Sequence, residues 1–133
     1  MKYGLLAALK WYATGFQTRT GIEVRLSGVE PEPRLPVAIE TVLFRITQEA
    51  LTNVARHARA TQVAVRLHRA DGRIRLVVSD DGKGIPADRL QGRDSLGLLG
   101  MRERASALGG WVEITSQAGS GTTVVLEMAA FGG

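Results

Sequence analysis

A chain of 133 residues, 44% hydrophobic and 23% charged, is long enough to bury one core as a single domain over 1–133 and too apolar for intrinsic disorder. The absence of cysteine removes disulfides, thiolate zinc sites and a cysteine nucleophile together, and suits a reducing, cytoplasmic setting. A formal charge of +4, from 14 Arg and 3 Lys against 13 acids, admits anionic ligands, but the cations are scattered and base-stacking aromatics are few, which argues against nucleic acid.

In chain order, residues 5–16 read as a helix with Tyr3, Leu5, Leu6, Leu9 and Phe16 available to a core and an end near Thr20 and Gly21. A short strand is expected over 22–26. Pro31, Pro33 and Pro36 forbid a ladder or a helix interior across 28–36, which therefore reads as a linker. A long helix should start near Pro36, where a proline in the first turn is tolerated, and run to about Ala58. From Thr61 the period changes to two: Val63, Val65 and Leu67, then Ile74, Leu76 and Val78, alternate with polar or small residues around an Asp71-Gly72 hairpin turn. Residues 81–100, rich in Gly, Asp and Arg, are expected as a long binding loop. A helix over 101–108, stopped by Gly109 and Gly110, and two strands over 111–116 and 122–128 complete the chain. The order α-β-α-β-β-α-β-β implies an α+β fold, a two-layer sandwich with helices on one face of a mixed sheet. No window holds the roughly 18 to 20 apolar residues that cross a bilayer, and no signal peptide is expected, so direct membrane insertion is not.

Three anomalies, two of them polar, mark where chemistry can be. With Ile46 as reference on the long helix at about 100° per residue, Ile39, Val42 and Leu43 define a buried stripe. One or two turns on, Glu49, Asn53, Arg56 and His57 fall within about 80° of the same direction. Buried without partners such groups cost several kcal/mol, so either something polar sits there or the helix end emerges into solvent. On the hairpin, the parity of Ile74, Leu76 and Val78 turns Asp80 inward at the strand end, unless it only caps the turn at Asp81-Gly82. Glycines form the third: Gly82 and Gly84 after Asp80, Gly97 and Gly100 before a helix, Gly119 and Gly121 before the last strand. Residues 97–101 are thereby a candidate anion site at a helix start. No GxxxxGK[ST] occurs, which excludes a P-loop, and no GxGxxG follows a strand.

The run from Gln48 through Glu49, Asn53, Arg56 and His57 to Ala58 resembles the N box of the GHKL ATPase superfamily, which takes in sensor histidine kinases, gyrase, Hsp90 and MutL. Asp80-Asp81-Gly82-Lys83-Gly84 is similar to its DxGxG box, Gly97-Leu98-Leu99-Gly100-Met101-Arg102-Glu103-Arg104 to the second glycine box, and Gly119-Ser120-Gly121-Thr122 to the third. Together with Ala8-Leu9-Lys10-Trp11-Tyr12 and Phe44-Arg45-Ile46, the wording resembles the nitrate-sensor-like branch of two-component histidine kinases.

That resemblance implies a Bergerat-type fold and a site for ATP and Mg²⁺. Asn53 inherits the metal position, an oxygen ligand for a hard cation. Glu49 matches the carboxylate that related ATPases use to orient or activate the attacking group, and is the catalytic candidate. Arg56 and His57 match phosphate contacts. Asp80 matches the acceptor for the adenine amine, supported by Thr122. Gly82, Gly84, Ile85, Gly97, Leu98, Gly100 and Met101 complete the implied nucleotide contacts. Residues 86–96 would be an ATP lid, and Arg89, Arg93, Arg102 and Arg104 are cations near the triphosphate or on a solvated surface. His57 precedes Ala58 and His68 precedes Arg69, whereas the family's phosphoacceptor His precedes an acid on a separate dimerising helical hairpin. The resemblance thus implies a catalytic domain that donates its γ-phosphate to that partner, with a response regulator downstream, and an isolated chain that is a monomer. The alternatives are an anti-sigma-type serine kinase and a nucleotide-responsive interaction module of the same fold.

Overall fold

The structure, a computed structural model, describes residues 3–85 and 97–130. Helix α1 (Leu5–Thr20), strand β1 (Glu23–Gly28), helix α2 (Val37–Asn53), a π-turn (Val54–Ala58), strands β2 (Gln62–Ala70) and β3 (Arg73–Asp80), helix α3 (Leu98–Ala107) and strands β4 (Trp111–Gln117) and β5 (Gly121–Ala129) follow in order. The strands form one sheet, β1-β2-β3-β5-β4, in which β1 and β2 run parallel and the other pairs antiparallel. The expected α+β sandwich is the architecture found. The expected lid, with Arg89 and Arg93, lies outside the described residues.

Period-two patterning decides which face is covered. Val63, Val65, Leu67, Ile74, Leu76 and Val78 are buried under the helices, while Arg66, His68, Arg73 and Arg75 are exposed on the opposite face. Asp71 and Gly72 both take positive φ, 54° and 73°, the two-residue turn that matches strand twist, and they pair Ala70 with Arg73. From the other layer α1 contributes Leu5, Leu9, Ala13 and Phe16, and α2 contributes Ile39, Leu43, Ile46, Ala50 and Leu51. The linker is tied down at both ends. Glu30 accepts from the Leu6 and Ala7 N–H groups at the start of α1, and Arg34 forks onto Glu40, which is 1% exposed on α2.

Three expectations need correction. Tyr3 precedes α1 and is 78% exposed, so it adds nothing to the core. The last helix begins at Leu98 rather than 101: Gly97, left-handed at φ 70°, turns the chain into it, and Leu98, Met101 and Ala105 form its buried stripe. The long helix does reach Ala58, but its final turn is π. Closing hydrogen bonds to i+5 instead of i+4 advances the side chains roughly 15° less per residue. Val54 and Ala58 thereby come inward, whereas Arg56 swings out to solvent and His57 is left half-buried.

Candidate functional site

β3 ends on Asp80, opposite Val63 of β2 and 9% exposed, on the inward side that parity assigns it. Its Oδ1 accepts the Gly82 N–H at 2.8 Å, and the Thr122 N–H also donates to the carboxylate. Burial pushes its pKa above the ordinary carboxylate value; these two donors oppose the shift and neighbouring Asp81 adds to it. Asp81 points the other way. Its oxygens accept from the Thr61 hydroxyl at 2.6 Å and from the Thr61 and Gln62 N–H groups at 2.9 and 3.1 Å, bonds that hold it below the usual carboxylate range. It thereby clamps the connection between the π-turn and β2 onto the end of β3.

The loop after Asp80 is threaded between two other segments. Gly82 lies so close to Ala58 that any Cβ would strike that residue's carbonyl, and the Lys83 N–H donates to the same oxygen at 2.7 Å. Gly84, at φ +81°, sits equally close to the Gln117 carbonyl. Gly119 N–H reaches Lys83 O at 2.8 Å, and Ile85 N–H reaches Ser116 Oγ at 2.6 Å. The Ser116 and Thr122 hydroxyls are 2.9 Å apart.

These contacts frame a cavity under α2, lined among the described residues by Ala50, Asn53, Val54, Ala58, Val78, Asp80, Ile85, Leu98, Ile114, Thr122 and Val124. Most of the wall is apolar, and three polar side chains converge on it: Asn53, Asp80 and Thr122. That is the composition of a slot for a flat heterocycle read by a few hydrogen bonds. The cavity is narrow, with about 20 Å³ of room for water, and opens outward.

The cavity brings together Asn53, Asp80, Ile85, Leu98 and Thr122 of the expected site, with Gly82 and Gly84 as its close-packed backbone. Glu49, one turn before Asn53, is directed toward α3: a Cβ on Gly97 would fall on its carboxylate. Its negative charge there is favoured by the helix start. Gly100 is in the first turn of α3, whereas Met101 is fully buried in the core and is not among the lining residues described. Arg56, Arg102 and Arg104 are exposed. Sequence reasoning missed Ser116, although the alternation Val112, Ile114, Ser116 already turns it inward, and missed the Asp81 clamp, whose partners lie 19 and 20 residues away.

Among the described residues no group of three or more His, Cys, Asp or Glu gathers to hold a metal. Asn53 and Glu49 offer oxygen donors one turn apart on α2. Such a set fits a hard cation held chiefly by ligand phosphates and water, and not a protein-caged transition metal.

Residues 38–130 match the family described as histidine kinase-, DNA gyrase B-, and HSP90-like ATPase. The chain is 36% identical over 126 residues to the signal transduction histidine-protein kinase/phosphatase DegS of Brevibacillus brevis, covering 94% of this chain and 32% of that protein. It is 39% identical over 130 residues to the sensor histidine kinase MctS of Rhizobium johnstonii, covering 96% and 28%. The chain thus spans about a third or less of these curated relatives. Among solved structures, the histidine kinase domain of a blue-light activated histidine kinase from Erythrobacter litoralis superposes with a TM-score of 0.82 at 26% identity, covering 96% of this chain and 61% of that one.

Proposed function

The chain belongs to the histidine kinase-, DNA gyrase B-, and HSP90-like ATPase family, and from that premise we propose that it binds ATP with Mg²⁺ in the Asp80 cavity and presents the γ-phosphate to a histidine on a separate helical hairpin domain. The observation that carries this reading is Asp80 itself, a buried carboxylate at the inner end of an otherwise apolar slot. Asp80 accepts from the exocyclic amine of adenine, and the coupled hydroxyls of Thr122 and Ser116 support that edge of the base. Ile85, Leu98, Ile114 and Val54 pack on the ring faces. Asn53 supplies an oxygen to Mg²⁺, whose charge neutralises the phosphates when bound. The first-turn N–H groups of α3, from Gly97 to Gly100, serve the phosphate oxygens, whereas the Met101 N–H is spent on the Gly97 carbonyl; Arg56 and His57 belong to the same end. Glu49, placed between α2 and α3, orients the reacting end. The names of the relatives as histidine kinases favour a two-component role over a serine kinase or a purely responsive module. A response regulator then receives the phosphate downstream, in the cytoplasm, and the isolated chain is a monomer.

The test is transfer. Incubated alone with ATP and Mg²⁺, the chain should acquire no acid-labile phosphate, because His68 lies exposed on the outer sheet face and His57 belongs to the binding end. Adding a relative's phosphoacceptor hairpin should produce phosphohistidine on that hairpin, and Asn53→Ala should reduce both the transfer and the Mg²⁺ dependence of ATP binding. Phosphate on His57 or His68, or a metal titration unaltered by Asn53→Ala, refutes the assignment.

A further inference from the structure

The outer side of α1 carries a feature that nucleotide binding leaves unused. α1 buries Leu5, Leu9, Ala13 and Phe16 and turns Lys10, Trp11, Thr14 and Arg19 to solvent. Trp11 is 75% exposed, a large apolar ring left in water on a regular helix. Next to it, Tyr12 packs edge-on against Phe44 of α2, with centroids 5.8 Å apart, and the Arg19 guanidinium stands 5.7 Å over the Tyr12 ring. Between α1 and α2 runs an open groove of about 650 Å³. Ala7, Thr14 and Gly15 keep its α1 side low, Trp11 stands up from it, and Gln48 faces it from α2. α2 separates this groove from the Asp80 cavity, since Gln48 lines the one and Ala50 and Asn53 line the other.

We propose that this groove docks an acidic amphipathic helix of a separate protein. The charge pattern selects the sign: the charged residues lining the groove, Lys10 and Arg19, are both cations, neither forms an ion pair among the described residues, and α1 has no acidic residue. The relief selects a helix. Small residues at Ala7, Thr14 and Gly15 admit the side-chain ridge of a second helix lying between α1 and α2. Trp11, Tyr12 and Arg19 are the residue types that carry most of the energy at such contacts. Lys10 and Arg19 stand about 13 Å apart along the helix and leave it on opposite sides, so they flank the groove at its two edges and meet carboxylates on the two flanks of a partner helix. A second copy of this chain would bring cation against cation, and the formal charge of +4 opposes it further.

The experiment uses Trp11 as its own reporter. The chain has two tryptophans, so Trp111→Phe leaves Trp11 as its one indole, read by excitation beyond the tyrosine band. The probe is a synthetic helical peptide of about fourteen residues, with Leu on one face and Glu on the other. Titration should give a saturable blue shift with a dissociation constant on the order of 100 µM. Lys10→Glu combined with Arg19→Glu should weaken binding about tenfold or more. Trp11→Ala, followed by calorimetry, should abolish it, with far-UV circular dichroism unchanged in each variant because all three side chains are exposed. The proposal is overturned if the peptide gives no saturable shift, or if a Gln-for-Glu peptide binds as tightly. It also fails if light scattering shows the chain pairing with itself through Trp11, or if phosphatidylglycerol vesicles and not the peptide shift the fluorescence.

Discussion

Replacing Asp80 by Asn changes one group in the cavity and should move binding and stability in opposite directions. The Gly82 N–H, 2.8 Å from Oδ1, fixes the amide oxygen on that side, so the NH₂ takes the place of the other carboxylate oxygen. A donor then faces the adenine amine where an ionised acceptor stood. The lost charge-assisted bond is worth about 1.5–3 kcal/mol, and leaving two donors opposed costs about 1–3 kcal/mol more. At about 1.4 kcal/mol per tenfold, ATP affinity should fall on the order of a hundredfold to ten-thousandfold. Without nucleotide the sign reverses. Burial raises the native pKa of Asp80, so its contribution to folding is fully present below the unfolded carboxylate pKa and is lost as pH rises through the raised native value. At neutral pH the wild type carries a buried charge that the variant lacks, and Asp80→Asn should melt a few degrees higher. Calorimetry with ATP and Mg²⁺ measures the first effect, and melting of the nucleotide-free proteins from acid to neutral pH measures the second, with the gap closing toward acid. An unchanged ATP affinity removes Asp80 from the site. A variant that melts lower at neutral pH refutes the account of its burial.

Asp81 should behave in the opposite sense. Its native pKa is depressed by the Thr61 hydroxyl and the Gln62 and Thr61 N–H groups, so it contributes stability above the ordinary carboxylate pKa that is lost as pH falls through the lower native value. Asp81→Ala should therefore lower the melting temperature at neutral pH by a margin that vanishes in strong acid, and a margin independent of pH would contradict the clamp. Gly82→Ala places a methyl group on the Ala58 carbonyl and 2.7 Å from its Cβ. Because backbone must move to admit it, the variant should lose about 1–3 kcal/mol in urea unfolding. A Gly82→Ala protein of wild-type stability would show that the loop is not held against the π-turn.

What could be read from the sequence, and what could not, divides by the range of the interaction responsible. The hairpin is local: Asp71-Gly72 sets the turn, and strict alternation carries the inward parity from Ile74 to Asp80 without any tertiary information. The core stripe of α2 is local in the same way. The π-turn is not, because nothing in the composition of Val54–Ala58 distinguishes it from another α-turn. Its last carbonyl, on Ala58, receives the Lys83 N–H from a loop 25 residues further on, and Gly82 presses against the same residue. The extra width that turns Arg56 outward thus goes with a contact that a helical wheel cannot contain. The start of α3 was hidden for the converse reason: Gly97 and Gly100 both read as loop, although one turns the chain into the helix and the other lies inside it.

The same contacts explain why glycines recur beside the polar residues of the site. At Gly82, Gly84 and Gly121 the backbone packs directly onto the carbonyls of Ala58, Gln117 and Asp80, in that order, with no room for a Cβ in any of the three. Three stretches distant in the chain, the π-turn, the loop after β3 and the β4–β5 turn, are thereby brought to backbone contact around one carboxylate. Larger residues would hold these segments apart and open the end of the cavity to water. Water there would solvate Asp80, return its pKa toward the ordinary value and weaken any hydrogen bond it makes to a base. The glycines shape the site by letting these backbones meet, and Gly82 also donates its N–H to Asp80, so substitutions at them should weaken binding in step with the exposure of Asp80.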